Sequence, residues 1–303
     1  MALSIHTNYS SLITNTALNK SNSALATNQQ RLGTGLRINS AADDAAGLQI
    51  ATRLNAQSRG MGVAMRNTSD AVSMLQTAEG AFSEMTDILQ RMKDLSTQAS
   101  NATNGGADLI ALQSEYDELG KEVSNIVKNT KFAGSNLFSD GTATNGSGGK
   151  LSAAMTFQIG ASQAETMSLD VSTKLTALTT ALGAASDTYA TPGTPGTELA
   201  TTQASGTAVN TNANANITTV ENALNAVGEL RAQFGANINR LNHTNNNLAN
   251  MRDNTEMAKG RIMDADFAIE SANMSKNSML MQSGISMLKQ AGQMPGMVMS
   301  LLG

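Results

Sequence analysis

Apolar residues recur at three- and four-residue spacing along most of the chain, a pattern that predicts α-helix. The longest such run spans residues 61–92, and a second with heptad spacing spans residues 109–126. Two more lie in residues 220–251 and 262–301. The pattern therefore predicts a mainly α protein, in which each long helix buries one face against another helix.

The two ends of the chain carry only a thin apolar stripe. An isolated helix with so few apolar positions is marginal in water, because ordering the backbone costs more free energy than the stripe returns. We expect both ends to order only when they pack on other helices, as assembly elements that fold on binding. The apolar positions expected to be buried on docking are Leu18, Leu25, Leu32, Ile285, Leu288, Val298 and Leu301.

Two short signals predict where helices begin and end near the N-terminus. Gly33 and Gly35 interrupt the first helix, and because no strand precedes them, a hinge is a better interpretation than a phosphate-binding loop. Ser40 followed by Asp43 resembles a capping box, which places Asp43 and Asp44 in the first turn of the next helix.

The middle of the chain differs from the ends. Residues 134–150 are rich in Gly, Asn, Ser and Thr, which predicts a loop. Apolar and polar residues then alternate over residues 157–161 and 167–171, which predicts a β-hairpin with its turn at residues 162–166. Residues 183–216 are mostly Thr, Ala, Gly, Ser and Asn, a composition that predicts an exposed insertion with little buried apolar area.

Composition argues against most kinds of active site. The chain of 303 residues has no Cys, no Trp and only two His, so thiolate chemistry is excluded and a catalytic triad or a His-rich metal site is not expected. The net charge of −4 offers no basic footprint for nucleic acid. We expect no enzyme activity, no cofactor and no bound metal.

The sequence has no apolar stretch long enough to span a membrane and no basic region followed by an apolar run at the N-terminus. We expect no membrane insertion and no cleaved signal peptide. Taken alone, this favours the cytoplasm or an export route that needs no signal peptide.

Several motifs, taken in order, resemble those of bacterial flagellins, the subunits of the flagellar filament. They lie at both ends of the chain, and the resemblance covers about residues 1–171 and 217–303. The motifs are RINSAADDAAG (37–47), QTAEGAF (76–82), LQRMKDL (89–95), FQIGA (157–161), RIMDADFAIESANMSK (261–276) and the closing SLLG.

The resemblance implies a division of the chain into inner-tube and outer-tube parts. The terminal helices would pair as a long antiparallel bundle or coiled coil in the inner tube, and the outer tube would hold the next helices and the hairpin. The implied boundaries are inner-tube residues 1–42 and 261–303, outer-tube residues 43–171 and 217–260, and a short variable surface insertion at 172–216.

The resemblance also implies a route and a set of partners. A flagellin is exported by the flagellar type III apparatus and polymerises outside the cell as a helical homopolymer for motility. The implied partners are other copies of the chain, an export chaperone on the C-terminal helix, and the hook-associated junction and cap proteins.

A host Toll-like receptor is a further implied partner. By motif, Arg91 and Leu95 of LQRMKDL and Glu115 occupy the receptor-contact positions. The plainer interpretation is that Arg91 and Glu115 are solvated helix charges and that Leu95 belongs to the core.

Two other functions compete with the filament subunit. A hook–filament junction protein is built on similar terminal helices, but such a protein should not form long tubes alone. A binding protein or enzyme on a helical scaffold would need a cluster of titratable residues, and the sequence offers none.

Overall fold

The computed structural model describes residues 8–191, 194–202, 208–209 and 212–302, with side chains described except at 201–202, 208–209 and 294–302. About 75% of the described residues are helical, so the predicted mainly α fold class is confirmed. The helices are α1 (Tyr9–Thr34), α2 (Ala45–Ala99), α3 (Gly106–Asn129), α4 (Ser172–Ala185), α5 (Asp187–Ala190), α6 (Ala213–Met263) and α7 (Phe267–Leu302). The strands are β1 (Lys131–Phe132), β2 (Ser135–Asn136), β3 (Met155–Gln158), β4 (Thr166–Leu169), β5 (Thr201–Thr202) and β6 (Ala208–Val209), and a 3₁₀ turn spans Lys150–Ser152.

The chain divides into two compact units. The terminal unit comprises residues 1–58 and 252–303, and the central unit comprises residues 59–251. Helices α2 and α6 each contribute residues to both units.

The central unit holds the main hydrophobic core, which α2, α3 and α6 build from their predicted apolar faces. Its centre is Phe82 of α2, whose ring lies 4.8 Å from that of Phe138 and 5.6 Å from that of Phe234. Phe138 belongs to the predicted loop, and its burial shows that this loop also supplies core residues. The core residues contributed by the three helices include Leu75, Met85, Leu89, Met92, Leu109, Tyr116, Val123, Val220, Val227, Leu230 and Leu241.

The predicted hairpin is present in the central unit. Strands β3 and β4 pair antiparallel, with Phe157 opposite Met167 and Met155 opposite Leu169. Met167 and Leu169 are buried while their neighbours Thr166 and Ser168 are exposed, as the alternation predicts.

Residues 183–200 correct one expectation, because much of this stretch is buried rather than exposed. Tyr189 and Leu199 are core residues, and α4 before them buries Leu178 and Leu182. The composition suggested little apolar area, but the few large residues present all face the core. Pro192 and residues 203–207, also part of the predicted insertion, lie outside the described residues.

Helix ends near the N-terminus follow the predicted signals with one difference. Helix α1 ends at Gly35, which adopts a left-handed φ of 71° and donates its N–H to the carbonyl of Arg31. Neither Asp43 nor Asp44 lies in the first turn of α2, contrary to the prediction. Asp44 precedes the helix and accepts the Gly47 N–H at 2.8 Å, so it acts as the cap itself.

Asp43 instead stabilises the turn before α2. Its Oδ2 accepts the backbone N–H groups of Asn39 at 3.0 Å and Ser40 at 2.8 Å. These hydrogen bonds from Ser40 and Asn39 lower the pKa of Asp43, because they favour the charged carboxylate. Asp43 therefore keeps its charge and its structural role well into acidic pH.

Candidate assembly surface

Helices α1 and α7 of the terminal unit pair antiparallel. Asn8 donates from Nδ2 to the Ala291 carbonyl at 2.7 Å near one end, and Arg31 contacts Glu270 at 3.0 Å near the other. Between them, a Cβ placed on Gly284 would lie only 3.1 Å from Cδ1 of Leu18, so the glycine makes room for the leucine. The shielded positions of both helices repeat at alternating three- and four-residue intervals, the spacing of a coiled-coil seam.

The seam contains a buried polar cluster made of Asn28, Arg31, Glu270 and Asn277. Asn28 is the buried residue of α1, with 7% of its surface exposed, and Glu270 is also 7% exposed. In the orientation that satisfies the Asn28 amide, its Nδ2 donates to Glu270 Oε2 at 3.1 Å and its Oδ1 accepts from Asn277 Nδ2 at 3.1 Å. Arg31 donates from Nη1 to Glu270 Oε1 at 3.0 Å, so both carboxylate oxygens of Glu270 have partners.

The other faces of the same two helices expose large apolar side chains. Met279 has 71% of its surface exposed, and Tyr9 has 60%. Such apolar groups are normally covered in a stable monomer, and several of them along one helix pair mark an interaction surface. The exposed apolar residues of this surface are Tyr9, Leu12, Ile13, Phe267, Ile269, Met279, Leu280, Ile285 and Met287.

The structure divides the predicted assembly residues between two roles. Leu18, Leu25, Leu32 and Leu288 are half-buried on the faces that form the α1–α7 seam. Ile285 is 43% exposed and belongs to the uncovered surface. Val298 and Leu301 lie on α7, but their side chains are outside the described residues.

The predicted hinge residues occupy different environments. Gly33 lies within the last turn of α1, with no atom near enough to contact an added Cβ. Gly35 caps the helix, and its carbonyl accepts the Ala265 N–H at 3.0 Å. Arg37 donates its own N–H to the carbonyl of Met263, so the link after α1 is bonded to the link before α7.

The predicted receptor-contact residues are only partly on the surface. Arg91 and Glu115 form an ion pair of 2.6 Å across α2 and α3, with side chains 53% and 46% exposed. Leu95 is 0% exposed and packs in the core of the central unit. The leucine side chain therefore cannot form part of a receptor-contact surface in this conformation, which corrects that part of the prediction.

The described residues were compared with two expectations, that the chain binds no metal ion and that it has no membrane-spanning helix. Among the described residues, no group of three or more His, Asp or Glu side chains is arranged to hold a metal ion. None of the described helices is both long and apolar enough to cross a membrane.

Asp266 caps the N-terminal end of α7, because its side chain accepts the N–H groups of Ala268 and Ile269.

The apolar pattern of the sequence does not predict the polar cluster. Asn28 interrupts the stripe between Leu25 and Leu32 at three- and four-residue spacing, so its position on the seam could have been predicted. Its partners could not, because Glu270 lies 239 residues from Arg31 and nothing local links the two segments.

These features define a class of protein: a mainly helical chain whose ends pair with each other and leave an apolar surface uncovered. Two sequence profiles identify the family within that class. The bacterial flagellin N-terminal helical region matches residues 5–144, and the bacterial flagellin C-terminal helical region matches residues 217–302.

Full-length relatives agree with the two profiles. Flagellin A of Vibrio anguillarum is 36% identical over 389 aligned positions, and polar flagellin B/D of Vibrio parahaemolyticus is 33% identical over 388, each alignment covering 100% of both chains. The crystal structure of Bacillus cereus flagellin aligns at 30% identity and a TM-score of 0.45, covering 60% of this chain and 88% of that one. The chain belongs to the bacterial flagellin family, and this membership supports a structural subunit of a flagellar filament.

Proposed function

We propose that the chain polymerises into an extracellular flagellar filament through its paired terminal helices. The observation that carries this proposal is the uncovered apolar surface of α1 and α7, in a chain that belongs to the flagellin family. Burying apolar surface between neighbouring copies supplies the driving force for association, at roughly 25 cal/mol for each Å² removed from water.

Ordering of the ends on assembly is part of this proposal. The α1–α7 seam covers only one face of each helix, and its apolar side chains are half-buried rather than fully buried. Contacts with neighbouring copies would cover the remaining faces, so the free energy that holds the terminal helices comes largely from the polymer.

The division into tube parts follows from the resemblance and is supported by the two compact units. Residues 1–42 and 261–303 would line the inner tube, and residues 43–171 and 217–260 would form the outer tube. The terminal unit reaches further, to residue 58 and back to residue 252. Residues 172–216 would form the variable part, although about half of the described residues in 183–200 are buried in this chain.

Export through the flagellar type III apparatus, the chaperone on the C-terminal helix and the junction and cap proteins are proposed on the same basis. Recognition by a Toll-like receptor is proposed for the exposed Arg91–Glu115 pair. Both side chains are accessible, and their charges lie on neighbouring helices of the central unit.

Seeded polymerisation viewed by negative-stain electron microscopy tests the proposed function. The full chain is compared with a truncation that ends at Arg261 and lacks α7. Long tubes from the full chain and none from the truncation support the proposal. If the full chain forms no tubes where a control flagellin does, the junction protein becomes the better assignment, and tubes from both would refute the role of α7.

A further inference from the structure

We propose that the polar cluster of Asn28, Arg31, Glu270 and Asn277 determines the register in which α1 and α7 pair. The role concerns the pairing of α1 with α7 within one chain, in whichever state orders the two helices, the free chain or the polymer. The register is measured by which residues of the two helices pair, and polymerisation by tube formation, so the two proposals fail in different experiments.

The apolar residues of the seam cannot fix the register by themselves. Leu18, Leu25 and Leu32 follow one another at seven-residue intervals on α1. Met274, Met281 and Leu288 do the same on α7. A shift of one helix by seven residues places most of these side chains opposite a seam position again, so the apolar contacts of the native and shifted registers are similar.

The polar cluster occurs once and removes this equivalence. In the native register Glu270 receives hydrogen bonds from Arg31 and Asn28, and Asn28 receives one from Asn277. A seven-residue shift moves these partners apart by about 10 Å, at 1.5 Å of rise per residue. In one direction Asn28 then faces Met281, and in the other Glu270 faces Leu25. A buried amide or carboxylate without partners is strongly unfavourable, so the shifted registers are disfavoured.

A second restraint acts near the same end of the pair. The Gly35 carbonyl accepts the Ala265 N–H at 3.0 Å, and Arg37 donates its N–H to the Met263 carbonyl at 2.6 Å. These are backbone hydrogen bonds, which any residue except proline can make. They hold the two links together, whereas the cluster supplies the interactions that depend on residue identity and so distinguish one register from another.

Disulfide trapping in the full chain, carried out before and after seeded polymerisation, tests the proposal directly, because the natural sequence contains no cysteine. Gly284→Cys is combined in turn with Leu18→Cys, which reports the native register, and with Leu25→Cys or Ser11→Cys, which report shifts of seven residues in either direction. The same cysteine pairs are also placed in a background variant that carries Asn28→Leu/Arg31→Met/Glu270→Leu. This variant removes the Asn28 amide and both charges together, so no unpaired charge is left in the seam. Its helix content is checked by circular dichroism.

In the parent chain we expect the 18–284 disulfide to exceed either shifted disulfide at least tenfold. In the background variant the shifted disulfides should increase at least tenfold relative to the native one, while helix content is kept. The control Asn22→Leu/Lys276→Leu makes similar changes at exposed positions of α1 and α7 and should retain the parent pattern. A variant that still forms only the 18–284 disulfide would overturn the proposal, as would a parent chain that forms none of the three.

Discussion

Asn216 donates a hydrogen bond from its side-chain amide to the hydroxyl of Tyr116 at 2.8 Å, inside the core of the central unit. The hydroxyl in turn donates to the Ala185 carbonyl at 2.6 Å, at the end of α4. One phenol group therefore connects α3, α6 and α4. Burial raises the pKa of Tyr116 far above its usual value, so the hydroxyl stays protonated and keeps its donor role.

Tyr116→Phe should lower the free energy of unfolding by about 1–3 kcal/mol, because it removes the donor to the buried Ala185 carbonyl and leaves the Asn216 amide nitrogen only its longer hydrogen bond to Ser96. Tyr189→Phe is the matched control, since its hydroxyl donates only to the carbonyl of Thr144, which is partly exposed and can bind water. Urea unfolding of both variants should show the larger loss for Tyr116→Phe. Equal losses would mean that the connection has no special role.

A second polar network binds the segment after α5 to α3. The side chain of Gln113 accepts the N–H groups of Leu199 and Ala200 at its oxygen and donates from Nε2 to Glu198 at 2.7 Å. The Asp187 N–H also donates to Glu198. Because the Gln113 oxygen accepts from two backbone donors, a flip of its amide group would place the nitrogen against those donors. The amide orientation is therefore fixed.

Glu198→Gln should therefore destabilise the central unit, since its new amide nitrogen would face a donor in either orientation, the Nε2 of Gln113 or the N–H of Asp187. The loss should also depend on pH. Burial raises the pKa of Glu198 above the 4.5 of a free glutamate, so the folded state binds a proton more tightly than the unfolded state. Its stabilising contribution is therefore full below pH 4.5 and is lost as pH rises through the folded pKa.

Unfolding free energies of parent and Glu198→Gln measured between pH 5 and 8 test the sign. The difference between the two proteins should be larger at pH 5 than at pH 8, because only the parent gains stability on acidification. A difference that shrinks toward pH 5 would contradict the assigned direction.

Two glycines of α2, two residues apart, should respond oppositely to the same substitution. A Cβ on Gly60 would lie 2.8 Å from Cβ and 3.3 Å from Cα of Ala161, beyond the end of β3, whereas Gly62 has nothing within 4 Å. Gly62→Ala should stabilise the helix by up to about 1 kcal/mol, because alanine favours helix over glycine. In Gly60→Ala the clash with Ala161 should offset this stabilisation. Calorimetry should therefore give Gly60→Ala a lower unfolding temperature than Gly62→Ala.

Leu95 and Arg91 separate a core role from a surface role. Leu95→Ala should lower the free energy of unfolding by about 2–5 kcal/mol, as expected for a buried leucine. Arg91→Ala should change it by less than about 1 kcal/mol, because its ion pair with Glu115 is exposed. If the proposed receptor contact is correct, Arg91→Ala lowers receptor activation in reporter cells while leaving thermal unfolding unchanged.

Ile285→Asp should prevent polymerisation, because it places a charge on the uncovered apolar surface. The control Ser114→Asp adds the same charge at an exposed position of α3, outside the α1–α7 surface, and should polymerise. Sedimentation after seeding compares the two, and circular dichroism checks that both keep their helices. Pelleted polymer from Ile285→Asp would show that this surface is not used in assembly.

Much of the fold could be predicted because helix and strand patterns are local. The apolar residues from Met61 to Met92 recur at three- and four-residue spacing, and the structure has a continuous helix there. The alternation around Phe157 and Met167 likewise predicted strands that pair in register. The cap at Gly35 follows from the freedom of glycine to adopt a positive φ.

The errors share a different origin. Asp43 and Asp44 compete for the same helix start, and only the path of the chain before α2 decides that Asp44 is the cap. The composition of residues 183–216 predicts an exposed insertion because composition is an average, whereas Tyr189 and Leu199 are individually placed in the core. Leu95 matched a motif by identity, but its burial depends on which helix covers that face of α2.

The sequence by itself determined the helical faces, the hairpin, the helix ends marked by glycine and the family. Each depends on residues close together in the chain or on the order of its motifs. Only the tertiary structure decided that Asn28 and Arg31 meet Glu270, and that Tyr116 meets Asn216. Those contacts join segments 100 residues or more apart, so no local pattern predicts them. The apolar residues of both terminal helices recur every seven residues, and this pattern does not specify which turn of α1 lies opposite which turn of α7.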